Sequence, residues 1–185
     1  MSAAPRPRRS LLFMPGSNPR ALEKGREVAA DGLIMDLEDA VAPEAKDEAR
    51  ARIVATIAAG GYGGRINGAE TQWFEDDLQA IAASGAHGVL IPKVDHAATV
   101  TRADDILSKA GAADEFGIWC MIETARGVLD ADEIAGASPR LQAFLLGGAD
   151  LTKDLGALHT PDRLPLMTSM GLCILAARAN RLSVL

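Results

Sequence analysis

Two apolar runs in this chain end in a carboxylate: IWCMI leads into Glu123, and AFLLGGA into Asp150. An unpaired carboxylate is costly at the dry end of a strand, and two brought together repel. A divalent cation between them removes both penalties, and an oxygen-only ligand set suits Mg²⁺ or Mn²⁺ better than zinc. No HExxH arrangement occurs, and the three histidines, His87, His96 and His159, lack ligand spacing. Each acid also has a plainer reading. Glu123 could form a salt bridge or serve the helix start at Thr124, and Asp150 could be an N-terminal cap. The pair is a stronger signal than either member.

LIMDLEDAV supplies a second acidic cluster. In a strand, Asp36 and Glu38 point one way while Leu37 and Asp39 point the other, so the three carboxylates cannot be presented equally. They could orient Arg65 or Lys93, or hydrogen-bond to water on the metal. Arg65 stands in GGRINGAE beside glycines and an Asn-Gly turn, where its guanidinium could reach a carboxylate at the same rim or simply form a structural pair with Asp36 or Asp39. Gly147-Gly148 allows a close ligand or a tight backbone path. It is not GxGxxG, so the nicotinamide-binding fingerprint is absent. In FMPGSNPR, the turn, the helix amides and Arg20 could bind a phosphorylated group, although a PGS turn before a proline-started helix is also ordinary β-to-α wiring. Asp47, Glu48 and Arg52 read as a solvated helix face.

These residues sit on six strand-like runs, each followed by a helical pattern: LLFM (11–14), LIMDLED (33–39), GGRIN (63–67), VLIPKV (89–94), IWCMIE (118–123) and AFLLGG (143–148). Asn18 and Pro19 open the first helix. Ala45, Ala49, Ile53 and Ile57 align on the second, Phe74, Leu78 and Ile81 on the third, and Val100, Ala103 and Leu107 on the fourth. A short helix runs towards Ile134, and Leu166, Met170, Ile174 and Ala177 align on the last. The strand runs are nearly continuous in apolar residues, which predicts a parallel sheet covered by helices. A doubly wound sheet and a barrel both fit. Charged or phosphate-friendly residues end almost every strand, and a barrel gathers those ends at one rim, so the expectation is an α/β fold of the (β/α)8 TIM-barrel type. A complete barrel of this type takes about 250 residues, whereas these 185 supply about six βα units.

Hydrophobic residues make up 48% of the chain, enough for one core over residues 10–185. The formal charge of −6 and a pI near 5.1 argue against nucleic acid or acidic lipid as a partner. No stretch approaches the roughly 18 apolar residues that a membrane span needs. Residues 1–9, which include Arg6, Arg8 and Arg9, fit no signal peptide and read as a flexible basic leader. Cys120 and Cys173 lie in apolar runs without CxxC spacing and read as reduced core thiols, which favours a cytoplasmic location.

In order along the chain, RRSLLFMPGSNPR, GLIMDLEDAVAPEAKDEAR, RING, GVLIPKV, MIETARGV and GGADLTKDLG resemble the citrate lyase beta-subunit-like family within the HpcH/HpaI aldolase and citrate lyase group, over roughly residues 8 to 180. The resemblance implies a metal-dependent barrel that assembles as a homo-oligomer, a trimer or hexamer. It implies Mg²⁺, or Mn²⁺, on Glu123 and Asp150, and Arg65 at the substrate carboxylate and oxyanion. Asp36, Glu38 and Asp39 would act around metal-bound water and substrate, and CoA would be recognised near Arg20 and Lys24. The implied reaction is carbon-carbon cleavage of a 3-hydroxyacyl-CoA, such as malyl-CoA or citramalyl-CoA, into an acyl-CoA and an oxo acid. A subunit acting on citryl groups of an acyl-carrier protein and a noncatalytic metal-binding scaffold are the alternatives. Two departures stand out: the acid/base that relatives supply late in their chains has no counterpart to name here, and Gly64 precedes Arg65 where relatives carry a bulkier residue.

Overall fold

A computed structural model of the chain describes residues 10–58 and 63–185; the expected basic leader lies outside them. Seven parallel strands pair in strict chain order. They are β1 Leu11–Pro15, β2 Gly32–Asp36, β3 Gly63–Arg65, β4 Gly88–Ile91, β5 Gly117–Ile122, β6 Leu141–Leu146 and β7 Ser183–Val184. The helices are α1 Pro19–Gly25, α2 Lys46–Ala58, α3 Phe74–Ala83, α4 Ala97–Lys109, α5 Ala125–Leu129, α6 Ala131–Ala135, α7 Gly148–Asp154 and α8 Met167–Ala179. Unbroken chain order is the winding of a β/α barrel, because a doubly wound sheet reverses order at its switch point. The sheet curls into an open, incomplete barrel with β1 and β7 at its edges.

Both sheet faces are apolar, which is why the strands read as continuous hydrophobic runs. Ile34, Leu90, Trp119, Met121, Ala143 and Leu145 cluster on the inner face. Their alternates Met35, Val89, Ile91, Ile118, Cys120, Ile122 and Phe144 join the larger core beneath the helices. Ala49, Ile53 and Ile57 of α2, Phe74, Leu78 and Ile81 of α3, and Val100, Ala103 and Leu107 of α4 are buried there, as their spacing predicts. Full burial of a side chain of the larger kinds contributes roughly 1.5–3 kcal/mol. Asn18 caps α1 by accepting the Ala21 N–H at 3.1 Å.

Four elements differ from the sequence reading, the first being α7, a helix where a polar loop is expected after AFLLGG. β7 adds a seventh strand where the pattern gave six: its two residues pair with Ala143 and Phe144, and a strand that short carries no readable period. The buried residues of α8 are Cys173, Ala176 and Ala177, whereas Ile174 is 43% exposed. That helix is apolar nearly all round, so spacing alone selects no face. The helix expected to run towards Ile134 is split at Asp130 into α5 and α6.

Gly64 does not loosen β3. A Cβ there would lie 2.9 Å from Ile81 Cδ1, so α3 fills the space that a larger residue would occupy.

Candidate metal and substrate site

Alternation along the strands carries inner-face apolar residues into the polar rim. Ile34 precedes Asp36 by two positions and Met121 precedes Glu123 by two, so both carboxylates follow the inner face. Asp36 and Arg65 are register partners on β2 and β3. Their pairing is a fork: Arg65 Nε and Nη2 donate to the two Asp36 oxygens, each at 2.7 Å. Asp36 also accepts the Glu38 N–H at 2.9 Å, turning the chain after β2. Nη1 of Arg65 lies 3.0 Å from Glu38 Oε2 and 3.9 Å from Met121 Sδ, and Phe13 packs 5.3 Å from the guanidinium carbon. The structural pairing weighed for Arg65 is thus present with Asp36, and one corner of the guanidinium faces the site.

Glu38 is buried and takes the Lys93 ammonium on Oε1. Asp39 is more open, 3.7 Å from Lys93 Nζ and 4.0 Å from Arg65 Nη1; β2 ends at Asp36, so the turn after it, and not a strand period, brings Glu38 and Asp39 towards the same two cations. Partial burial disfavours the Lys93 charge, but the hydrogen bond and charge of Glu38 outweigh it and hold its pKa above the usual lysine value. Lys46 is a buried brace that sequence reading missed: Nζ donates to the carbonyls of Leu37 and Glu38 at 2.6 and 2.7 Å. Burial lowers its pKa against the pull of Asp36 and its acidic neighbours.

Glu123 is 1% exposed. Its Oε1 accepts the backbone N–H of Lys93 at 2.9 Å. Burial pushes its carboxyl up to about 7; the Lys93 hydrogen bond opposes this, and the negative charges of Asp150 and Glu38 add to it. Neither plainer reading holds. Thr124 caps α5 with its own hydroxyl, which accepts the Gly127 N–H at 3.0 Å, while Glu123 makes no ion pair among the described residues. Asp150 lies inside the first turn of α7, whose N-cap is Gly147, so Asp150 is no cap. Gly147 has a specific purpose: a Cβ there would come within 2.3 Å of Glu123 Oε2. Gly148 is under no such constraint, with Leu166 Cδ1 3.6 Å from its notional Cβ.

The donor chemistry suits a magnesium-like ion. Two carboxylates, one of them buried and disfavoured as an anion without a cation beside it, form an oxygen-only pair beside a glycine. No group of three or more His, Cys, Asp or Glu side chains converges as a complete ligand set among the described residues. Mg²⁺ commonly takes one or two protein carboxylates and fills its octahedron with water and substrate oxygens, so two suffice.

Arg20 and Lys24 are exposed on α1, four residues apart and therefore on one helix face. The preceding PGS turn is tied to the rim, where the Gly16 N–H donates to Asp36 O at 2.9 Å and Ser17 Oγ donates to Ala40 O at 3.1 Å. Arg52 is not merely part of a solvated face: Nη1 donates to the carbonyls of Gly16 and Ser17, each at 3.2 Å. Cys120 and Cys173 are free and buried, and burial raises both thiols, Cys173 to about 11. A surface depression of about 960 Å³ between α3 and α4 is lined by none of the rim residues. Among the described residues no helix is long and apolar enough to cross a membrane.

The HpcH/HpaI aldolase/citrate lyase family model matches residues 9–185. A (3S)-malyl-CoA thioesterase of Cereibacter sphaeroides (strain KD131) is 45% identical over 183 residues, covering 96% of this chain and 62% of the relative. An L-malyl-CoA/beta-methylmalyl-CoA lyase of Cereibacter sphaeroides (strain ATCC 17029) is 40% identical over 167 residues, covering 84% of this chain and 52% of the relative. The crystal structure of protein CitE from Mycobacterium tuberculosis with magnesium, acetoacetate and coenzyme A superimposes with a TM-score of 0.76 at 30% identity, covering 94% of this chain and 64% of that one.

Proposed function

Because the chain belongs to the HpcH/HpaI aldolase/citrate lyase family, we propose that it contributes the metal and carboxylate site of a magnesium-dependent carbon-carbon lyase acting on a 3-hydroxyacyl-CoA such as malyl-CoA or citramalyl-CoA. The observation that carries this reading is Glu123, a buried carboxylate whose ionised form its surroundings disfavour and which makes no ion pair among the described residues, on the same rim as Asp150 and Arg65. CoA recognition by Arg20 and Lys24 is supported by their exposure on one face of α1. Assembly as a trimer or hexamer is supported by apolar side chains left open on α5 and α8, Leu129 and Leu175 each 69% exposed. The buried free thiols fit a reducing, cytoplasmic setting for one barrel domain over residues 10–185.

Glu123 and Asp150 would hold the ion, which when bound supplies Lewis-acid polarisation of the small acid's oxygens. Asp36 fixes the Arg65 guanidinium so that its remaining corner, Nη1, can meet the substrate carboxylate and steady charge that develops on the departing oxo acid. Glu38 shares that corner at 3.0 Å and sets its direction, while Asp39 stays accessible to water at the mouth. In cleavage the substrate hydroxyl loses its proton and the bond between the carbinol carbon and the thioester α-carbon breaks. Its electron pair passes to the thioester as an enolate, whose protonation releases the acyl-CoA. Malyl-CoA would thus give glyoxylate and acetyl-CoA. No electrons are transferred, so no redox cofactor enters.

The 45% identity to a malyl-CoA thioesterase favours a second reading, hydrolysis of the thioester to malate and free CoA. Products separate the two. The purified chain is incubated with malyl-CoA or citramalyl-CoA, with and without Mg²⁺, beside Glu123→Ala. Magnesium-dependent release of acetyl-CoA and an oxo acid, lost in the variant, supports the lyase. Free CoA with the hydroxy acid supports hydrolysis. Folded protein that binds the ion and turns over neither substrate supports a scaffold or a subunit for a carrier-bound citryl group.

A further inference from the structure

Lys93 follows β4 and touches both Glu123 and Glu38. Its backbone is left-handed, with φ of +50°, a conformation uncommon for any residue with a Cβ and sustained where surrounding contacts enforce it. Those contacts are visible. The Lys93 N–H leaves the strand ladder and donates to Glu123 Oε1 at 2.9 Å, and the next residue, Val94, returns its N–H to Met121 O at 3.3 Å. The side chain turns the other way, to Glu38 Oε1 and to within 3.7 Å of Asp39 Oδ1. Glu38 in turn abuts Arg65 Nη1 at 3.0 Å.

We propose that Lys93 is a positioning residue for both halves of the site: its left-handed backbone aims the Glu123 carboxylate, and its ammonium holds Glu38 against Arg65. A glycine would satisfy the backbone alone, and an extended lysine could offer the ammonium alone. A lysine at positive φ does both, which accounts for a strained conformation being kept there. The inference rests on Glu123 being a metal ligand, and it separates into two arms that substitutions can isolate. Lys93→Gly keeps the N–H and accepts φ of +50° but removes the ammonium. Lys93→Val also removes the ammonium and, being β-branched, rejects that φ. Lys93→Arg restores a cation.

Two measurements test it on protein shown by circular dichroism to be folded. Mn²⁺ binding by electron paramagnetic resonance reads the backbone arm: Lys93→Gly should bind no more weakly than wild type, and Lys93→Val about tenfold more weakly. The metal-free Arg65 Nε–H resonance reads the ammonium arm: it should shift in Lys93→Gly and return towards its wild-type position in Lys93→Arg. The Lys93 amide resonance should also move in Glu123→Ala. Equal Mn²⁺ affinity in the Gly and Val variants, or an Arg65 resonance indifferent to Lys93→Gly, would overturn the proposal. Wild-type protein that binds no Mn²⁺ sinks the metal reading instead, and the metal-free resonances then decide Lys93 by themselves.

Discussion

Replacing Glu123 by glutamine should change the pH dependence of stability in one direction and by a workable amount. Burial and the nearby charges hold this carboxyl near 7 in the folded protein, against 4.5 for an ordinary glutamate. The unfolded chain releases the proton first, so between those two values the native state binds more protons and stability falls as pH rises. The gap corresponds to about 3 kcal/mol, none of it lost below 4.5 and all of it lost above 7. Urea unfolding of metal-free protein in chelator, followed from about pH 4.5 to pH 8, measures it. Wild type minus Glu123→Gln should slope downward across the window, since the amide can accept the same Lys93 N–H without titrating. Mg²⁺ at a hundred times its dissociation constant should restore about 2.7 kcal/mol to wild type above neutrality and little to the variant. Parallel pH curves for the two proteins would refute the idea that Glu123 carries an uncompensated charge.

Gly147→Ala drives a methyl group to 2.3 Å from Glu123 Oε2, so the carboxylate must rotate away: Mn²⁺ titration should show at least a roughly tenfold loss of affinity, with about 1–3 kcal/mol lost in urea unfolding. Arg65→Lys replaces a two-bond fork on buried Asp36 by a point charge. It should cost roughly 2 kcal/mol of stability and about a hundredfold in turnover while leaving Mn²⁺ affinity near wild type. Lys46→Met strips buried donors from the carbonyls of Leu37 and Glu38, with a stability loss of about 2 kcal/mol. Amide exchange in residues 37–41 should quicken, and unchanged exchange there would contradict the bracing role.

The rim was legible because strand period and strand end coincide in this fold. Glu123 and Asp36 are each two residues beyond an inner-face apolar residue, so their direction follows from counting. Arg65 was legible as a cation among glycines, and register with Asp36 supplied its partner. Lys46 escaped notice because a lysine at the start of an amphipathic helix reads as solvated. Only the return of the chain after β2 brings carbonyls 37 and 38 onto its ammonium. Gly147 was read as allowing a close ligand or a tight backbone path; the space beside it is taken by Glu123 itself, a contact between neighbouring strand ends that no local pattern encodes. The positive φ of Lys93 left no trace in IPKV, since glycine, asparagine and aspartate are the usual signals of that conformation. The buried face of α8 could not be read because the helix is apolar on several sides.

Charge explains why this rim suits a cation and an anionic substrate together. Five carboxylates, Asp36, Glu38, Asp39, Glu123 and Asp150, face three cations, Lys46, Arg65 and Lys93. Above about pH 7, where Glu123 is ionised, the five carboxylates exceed the three cations by two charges, which one divalent ion cancels. The cancellation is uneven in space. Asp36 and Glu38 are already matched by Arg65 and Lys93 through direct contacts, so the unmatched charge lies with Glu123 and Asp150. A cation is drawn to that pair and not to the acidic end of β2 and its following loop, although Asp36, Glu38 and Asp39 there outnumber it. An anionic acid entering before the cation would meet net repulsion; entering afterwards, it meets a neutral rim with one guanidinium corner turned towards it. Metal should therefore precede acid, and oxo-acid binding measured by calorimetry should be weak in chelator and strengthen when Mg²⁺ is supplied, with Glu123→Gln binding acid feebly in either condition.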